Sequence, residues 1–243
     1  RMSRGLGDVY KRQPKKQDRL FETGPMVYIA HEMTPFSPKD VTVYSNCDEV
    51  RLTYNKGGKS LTYTKPVSRE GMPSPIITFK DVYNFMIDKN MSMKEGRQKE
   101  VFLLAEGLIN GKVVTTHKVC PARRPSKLLL WIDNENTELK ADGSDFVTVI
   151  AAIADKNDNI KRLNNYYVKF HIEGEGRILG GANVLANPAP VKWGTAPILV
   201  QSTLKPGKIK ITASVLFEGS QMPVSAELEL ESKPSAYPLI YAS

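Results

Sequence analysis

From Met26 onward the chain is written in short runs where apolar and polar residues alternate. MVYIA (26–30), VTVYS (41–45), VRLTY (50–54), VFLLAEGLI (101–109) and VVTTHKV (113–119) are rich in Val, Ile, Thr and Tyr and are separated by turn residues. Such a period of two predicts antiparallel strands with one buried face. Asn110-Gly111, between the last two runs, supplies the two positive φ angles of a tight hairpin. NKGG at 55–58 predicts a second, looser hairpin, and residues 81–98 lack alternation and predict a loop or a short helical excursion.

At CPARRPSK (120–127) two prolines and a basic cluster interrupt the strands, which places a domain boundary there. The pattern then restarts with KLLLWID, FVTVIAAIAD, YYVKFHIEG, PILVQS, KIKITASVLF and AELELES. About 100 residues lie on each side of the joint, the usual length of an immunoglobulin-like module. The expected fold is therefore all-β, with two immunoglobulin-like antiparallel β-sandwich domains in tandem over residues 20–124 and 125–232. Residues 1–19 are read as a non-native or disordered leader, and residues 233–243, with two prolines, as a tail.

Charge changes the picture little once it is located. Of 34 basic and 26 acidic side chains, seven and two fall in the first nineteen residues, leaving a net +3 on the rest. That is an ordinary surface and argues against nucleic acid as a partner. No run approaches the ~18 apolar residues of a membrane helix, and no basic start leads into an apolar signal core.

Candidate chemistry is sparse. Cys47 and Cys120 are too few and too far apart for a metal cage but leave one disulfide open, and His31, His117 and His171 do not cluster. Asp155, Asn157 and Asn159 match the first three ligand positions of a calcium loop. Ile160 then stands where glycine is needed and Tyr166 where a closing Glu is needed, so a polar turn is the reading and no metal is assigned. GEGRILGG (174–181) precedes a proline-bearing stretch rather than a helix, so it reads as a sandwich corner and not as a phosphate cradle. No cofactor is expected. Glycosidic chemistry needs two carboxylates facing each other roughly 5 Å apart in retaining enzymes. Asp48, Glu49, Glu173 and Glu175 instead sit in turns, so no catalytic residue is assigned. Aromatics remain as the functional hint. Trp131, Tyr166, Tyr167 and Trp193 could stack on sugar rings, and Trp193, Tyr166 and Tyr167 are the carbohydrate-contact candidates, although alternation turns one of the two tyrosines inward.

GPMVYIAHEMTPFSPKDVTVYSNCDEVRL and LINGKVVTTHKVCPARRPSKL together resemble the domain that follows the catalytic barrel in family 2 glycoside hydrolases, the β-galactosidase group, especially those of Bacteroidetes. FVTVIAAIADKNDNIKRLNNYYVKFHIEGEGRILGGANV and PILVQSTLKPGKIKITASV resemble the C-terminal immunoglobulin-like domain of the same enzymes, and more loosely bacterial adhesin repeats. The resemblance covers residues 20–232. It implies a parent glycosidase with two catalytic glutamates on a TIM barrel, in the periplasm or outside the cell. Such a barrel needs about 250 residues of alternating strand and helix. None is written here, so the chain by itself is expected to be inactive, with the barrel and other domains of the parent as partners and oligosaccharide as a further candidate. A carbohydrate-binding module and an adhesin-like spacer are the alternatives. Within this frame SNCDE (45–49) is a corner between strands, Asn46, Asp48 and Glu49 supply turn chemistry, and Cys47 is a buried thiol.

Overall fold

The structure, a computed structural model, describes residues 24–57, 59–68, 75–86, 101–133, 138–216 and 223–236. The chain is all-β with several antiparallel sheets, and it divides between Pro121 and Ala122 into two compact units.

The first unit contains β1 (Val27–Ala30), β2 (Val41–Ser45), β3 (Glu49–Lys56), β4 (Ser60–Pro66), β5 (Ile76–Phe79), β6 (Val101–Ile109) and β7 (Lys112–Val119). They form a three-stranded sheet, β1-β2-β5, and a four-stranded sheet, β4-β3-β6-β7, with every pairing antiparallel. Alternation decides what is buried. Val41 and Val43 of β2 meet Val50 and Leu52 of β3 and Leu103 and Ala105 of β6 in one core shared by both sheets.

The SNCDE corner carries the chain from one sheet to the other. Asn46 Oδ1 accepts the Met26 amide at 2.6 Å, and Asp48 Oδ2 accepts the Asn110 amide at 3.2 Å. The corner is thereby tied to the β6–β7 hairpin, whose Asn110 and Gly111 have φ of 49° and 72°. These are the positive angles that the dipeptide predicts.

The second unit contains β8 (Lys127–Ile132), β9 (Leu139–Ala141), β10 (Phe146–Ala154), β11 (Tyr167–Gly174), β12 (Gly176–Ile178), a 3-10 turn at Ala182–Val184, β13 (Ala189–Pro190), β14 (Thr195–Ser202), β15 (Gly207–Val215) and β16 (Ala226–Pro234). One sheet has the order β12-β14-β10-β8 and the other β13-β11-β15-β16-β9. Val147, Val149 and Ile153 of β10 and Ile198 and Val200 of β14 pack with Val168 and Phe170 of β11 and Ile209 and Ile211 of β15.

The looser hairpin predicted at NKGG is present as the antiparallel pair β3–β4, and four strands depart from the sequence reading: β5, β9, β12 and β13. The glycine-rich stretch read as a corner holds β12, and Lys233 and Pro234, read as tail, end β16. The pairing of β16 with β9 is parallel, a correction to the all-antiparallel expectation. Parallel contact arises because β9 reaches this sheet at its edge and is not joined to β16 by a hairpin. In the 81–98 stretch Phe85 and Met86 have helical backbone, and residues 87–98 lie outside the described residues, as do the leader and residues 237–243.

Candidate functional site

Two features of the second unit can meet a ligand, and they lie at opposite ends of its strands. Trp193 and Gly194 form a two-residue turn with φ of 52° and 86°, closed by the Lys192 amide on the Thr195 carbonyl (2.8 Å) and the Thr195 amide on the Lys192 carbonyl (3.1 Å). A Cβ on Gly194 would stand 2.7 Å from Ile160 Cγ2 and 2.9 Å from the Lys161 carbonyl oxygen, so position 194 admits only glycine. That close approach presses the turn against the 160–162 loop, where Arg162 Nη1 donates to the Trp193 carbonyl at 3.3 Å. The Trp193 ring is left 55% exposed.

Tyr167 opens β11 opposite Pro190 and is exposed, whereas Tyr166 is half-buried against the core. Trp193 follows β13 by three residues, so the fold brings Trp193 and Tyr167 to the same end of the unit. Tyr166 is the tyrosine turned inward. Trp131 is half-buried on β8.

At the far ends of β11 and β14, about 23 Å along β14 from the turn, lies a groove of about 580 Å³. Asp142, Ser144, Glu175, Arg177, Thr203 and Lys205 line it. Its side chains hold one another. Asp142 Oδ1 accepts the Ser144 amide (2.8 Å), the Ser144 hydroxyl (3.0 Å) and the Asp145 amide (2.7 Å). Hydrogen bonds led by the Ser144 amide keep this carboxyl below its ordinary value. Glu175 Oε2 accepts the Thr203 hydroxyl at 2.5 Å, and Arg177 Nε donates to Gln201 Oε1 at 2.7 Å. Chemically this is a hydrogen-bonding groove with both carboxylates already engaged. Sequence reasoning placed Glu175 in a turn and missed the groove, for which the ADGSD turn at 141–145 was the available signal.

Residues 130–217 of this chain match the family described as glycoside hydrolase family 2 C-terminal domain 5. The chain carries a C-terminal domain of glycoside hydrolase family 2. It is 32% identical over 232 residues to a β-galactosidase of Thermoanaerobacter pseudethanolicus and 29% identical over 192 residues to a β-galactosidase of Bacteroides ovatus. These alignments cover 91% and 74% of this chain but 30% and 20% of the relatives, so the chain spans less than a third of the length of the curated relatives it matches. Among solved structures it shares its fold with a β-glycosidase from Bacteroides vulgatus, at a TM-score of 0.62 and 23% identity, over 92% of this chain and 26% of that one.

The segment matched to the family 2 domain contains Tyr166, Tyr167, Trp193 and the groove, whereas Cys47 and Cys120 lie outside it. Cys47 and Cys120 are not joined by the disulfide that the sequence left open. Cys47 is fully buried, with its amide on Ser45 Oγ (3.1 Å) and its sulfur against Gly107. Of the calcium-like residues in the family 2 domain, Asp155 serves backbone amides instead, and Asn157 and Asn159 donate to it. Asp155 is fully buried and accepts the amides of Arg123 (2.9 Å), Asn157 (2.8 Å) and Asn159 (3.1 Å). Burial pushes its carboxyl up most strongly of any single influence, but the donors from Arg123, Asn159 and Asn157 together outweigh it and hold the carboxyl below its ordinary value. Among the described residues no group of three or more His, Cys, Asp or Glu side chains is placed to hold a metal ion.

Proposed function

We propose that this chain is the non-catalytic C-terminal part of a family 2 glycosidase that hydrolyses β-galactosides or related β-glycosides. In this reading its two units are tandem immunoglobulin-like sandwiches, over residues 20–124 and 125–232, that buttress a catalytic TIM barrel carried elsewhere in the same polypeptide. The enzyme works in the periplasm or outside the cell. The observation that carries this reading is the β-galactosidase relative matched over 91% of this chain but only 30% of its own length. The catalytic role falls to the remaining part of such a polypeptide, because the carboxylates of the groove, Asp142 and Glu175, are already engaged by amides and hydroxyls. The test is twofold. The complete reading frame should encode a barrel with paired glutamates, and the isolated chain should not turn over a chromogenic β-galactoside. A reading frame without that barrel, or hydrolysis that survives repurification of the isolated chain, rejects the proposal.

A second reading, sugar binding by the chain itself, draws support from Trp193. Neither burial nor turn chemistry asks for a tryptophan at a left-handed, exposed position, where Asn or Gly would be favoured. Affinity electrophoresis in galactan-containing gels tests it, with retardation expected of the isolated chain and lost on Trp193→Ala.

A further inference from the structure

The net +3 carried by residues 20–243 is not spread evenly. At the end of the second unit that presents Trp193, pairing and hydrogen bonds gather three segments into one surface. Lys127 pairs with Ala154 across β8 and β10, and Thr195 pairs with Ala152 across β14 and β10. The Arg123 amide donates to Asp155 Oδ2 at 2.9 Å, the Lys161 amide to the Ile153 carbonyl at 2.8 Å, and Lys161 Nζ to the Ala122 carbonyl at 3.5 Å. Residues 122–127, 155–162 and 192–193 therefore share this end, and they carry seven basic side chains against two carboxylates. Neither carboxylate is left to offset the rest. Asp155 is fully buried and taken up by the amides of Arg123, Asn157 and Asn159, and Asp158 Oδ1 lies 2.7 Å from Lys127 Nζ. Arg123, Arg124, Lys161 and Lys192 pair with no carboxylate among the described residues. Trp193 stands among these cations, with exposed Lys192 beside it on the turn and Arg162 Nη1 on its carbonyl at 3.3 Å.

We propose that this end of the second unit binds an anionic polysaccharide, one bearing carboxylate or sulfate groups, with a sugar ring stacked on Trp193 and its acid groups among Lys192, Arg124 and Lys161. The inference rests on the reading that the chain itself binds sugar, and it names the class of sugar. The indole supplies a flat apolar face for a pyranose. The cations supply the selection, since an acid group makes charge-assisted hydrogen bonds to them that a hydroxyl does not, and charge of one sign at one end of a nearly balanced chain raises the local concentration of anions. The surface is also fixed before a ligand arrives. Gly194 locks the turn against the 160–162 loop, and the Asp155 carboxylate ties residue 123 to the 157–159 turn, so little has to be ordered on binding. The groove at the far end carries no such bias, because there Arg177 and Lys205 stand with Asp142 and Glu175.

The test is affinity electrophoresis of this chain in gels containing galactan, polygalacturonate, a sulfated galactan or single-stranded DNA, with apparent Kd taken from mobility against polymer concentration. Residues 1–19 carry basic side chains of their own, which are present equally in every variant. At an ionic strength of about 0.01 M at least one anionic polysaccharide should bind about ten-fold or more tightly than galactan, and the gap should narrow at about 0.15 M, where screening cuts the reach of charge from about 30 Å to about 8 Å. Trp193→Ala should abolish the retardation. Arg124→Gln combined with Lys192→Gln should weaken binding of the anionic polymer about three-fold or more while changing that of galactan by less than about two-fold. Lys205→Gln combined with Lys208→Gln removes the same charge at the far end and should change neither by more than about two-fold. Preference for polygalacturonate assigns the acid group as a carboxylate, preference for the sulfated galactan assigns it as a sulfate, and either supports the proposal. Equal affinity for galactan and both anionic polymers overturns it and leaves the sugar-binding reading standing. Retardation that survives Trp193→Ala, falls as much in the far-end variant, or is matched by single-stranded DNA reports charge alone and overturns it too. No retardation in any gel defeats this inference together with the sugar-binding reading.

Discussion

The carboxamide of Asn187 pairs with the backbone of Phe170 as a neighbouring strand would, its Oδ1 accepting the Phe170 amide at 3.0 Å and its Nδ2 donating to the Phe170 carbonyl at 2.8 Å. β13 covers β11 only at Tyr167 and Val168, so this one side chain extends the pairing to a strand edge that would otherwise be open. Two hydrogen bonds contribute roughly 0.5–1.5 kcal/mol each. Asn187→Ala should therefore lower stability by about 1–3 kcal/mol, seen as a lower urea midpoint at unchanged slope, with faster amide exchange at Phe170. Asn187→Asp should not restore it, because the donor to the Phe170 carbonyl is lost. An unchanged midpoint for Asn187→Ala would show that water replaces the carboxamide without penalty.

Gly107 and Cys47 define each other. A Cβ at position 107 would lie 2.6 Å from Cys47 Sγ and 2.9 Å from Thr115 Cγ2, so β6 can pass this corner only as glycine. Gly107→Ala should destabilise the first unit by about 1–3 kcal/mol through overpacking. With the sulfur removed in Cys47→Ala, the same change should be milder by at least about 0.5 kcal/mol, a coupling that a double-mutant cycle in urea measures. Strict additivity would mean that the backbone, and not the thiol, resists the methyl group.

That pairing also shows what the sequence carries and what it withholds. Cys47 reads as a small buried hydrophobe from its place between two alternating runs, and it is buried. That its sulfur rests on Gly107, sixty residues away, follows from register, which alternation in one strand does not encode. Strands with a core face were legible from their alternation, whereas β4 was legible only through the NKGG turn before it. In SLTYTKP six of seven residues are exposed, so no buried face writes a pattern into it. β12 and β13 are three and two residues long, too short for any period. On β8, Trp131 was visible as an aromatic and legible as nothing more. Its membership of an outward apolar row depends on Ile150 and Pro197, which reach it only through pairing. The groove escaped for a similar cause, since Asp142, Glu175 and Thr203 come from three separate turns.

Acid should weaken the first unit well above the carboxylate range. His31 is buried, donates from Nε2 to the Pro38 carbonyl at 2.9 Å and accepts the Met33 amide on Nδ1 at 3.1 Å, which only the neutral ring can do. His117 Nδ1 accepts the Ile29 amide at 3.1 Å. Burial lowers both from the ordinary 6.5, against weaker opposing effects of Pro38 and Glu32 at His31. A folded value below the unfolded one means that the unfolded chain binds more protons. Stability is then full above about 6.5 and falls as pH drops from there through the folded values, by up to about 1.4 kcal/mol per pH unit for a fully buried ring. Urea midpoints measured from pH 7.5 to 5 should fall accordingly. His117→Asn keeps an acceptor for Ile29 and should flatten part of that slope, whereas a slope unchanged in both His117→Asn and His31→Gln would assign it to other groups.

Trp193 offers the sharpest conflict between stability and use. At φ 52° a side chain with a Cβ is strained by about 1 kcal/mol or more, and Asn-Gly is the dipeptide that this turn geometry favours. With a ring 55% exposed there is little packing to lose. Trp193→Asn should therefore raise the urea midpoint, by about 0.5–1 kcal/mol in stability. A lower midpoint would show that the indole holds the turn against the 160–162 loop, making its exposure incidental to any ligand. A higher midpoint together with lost retardation in galactan gels would identify a residue kept for contact at the expense of the fold. A higher midpoint with no retardation in either protein would leave the strain without a sugar to explain it and remove the support for the sugar-binding reading.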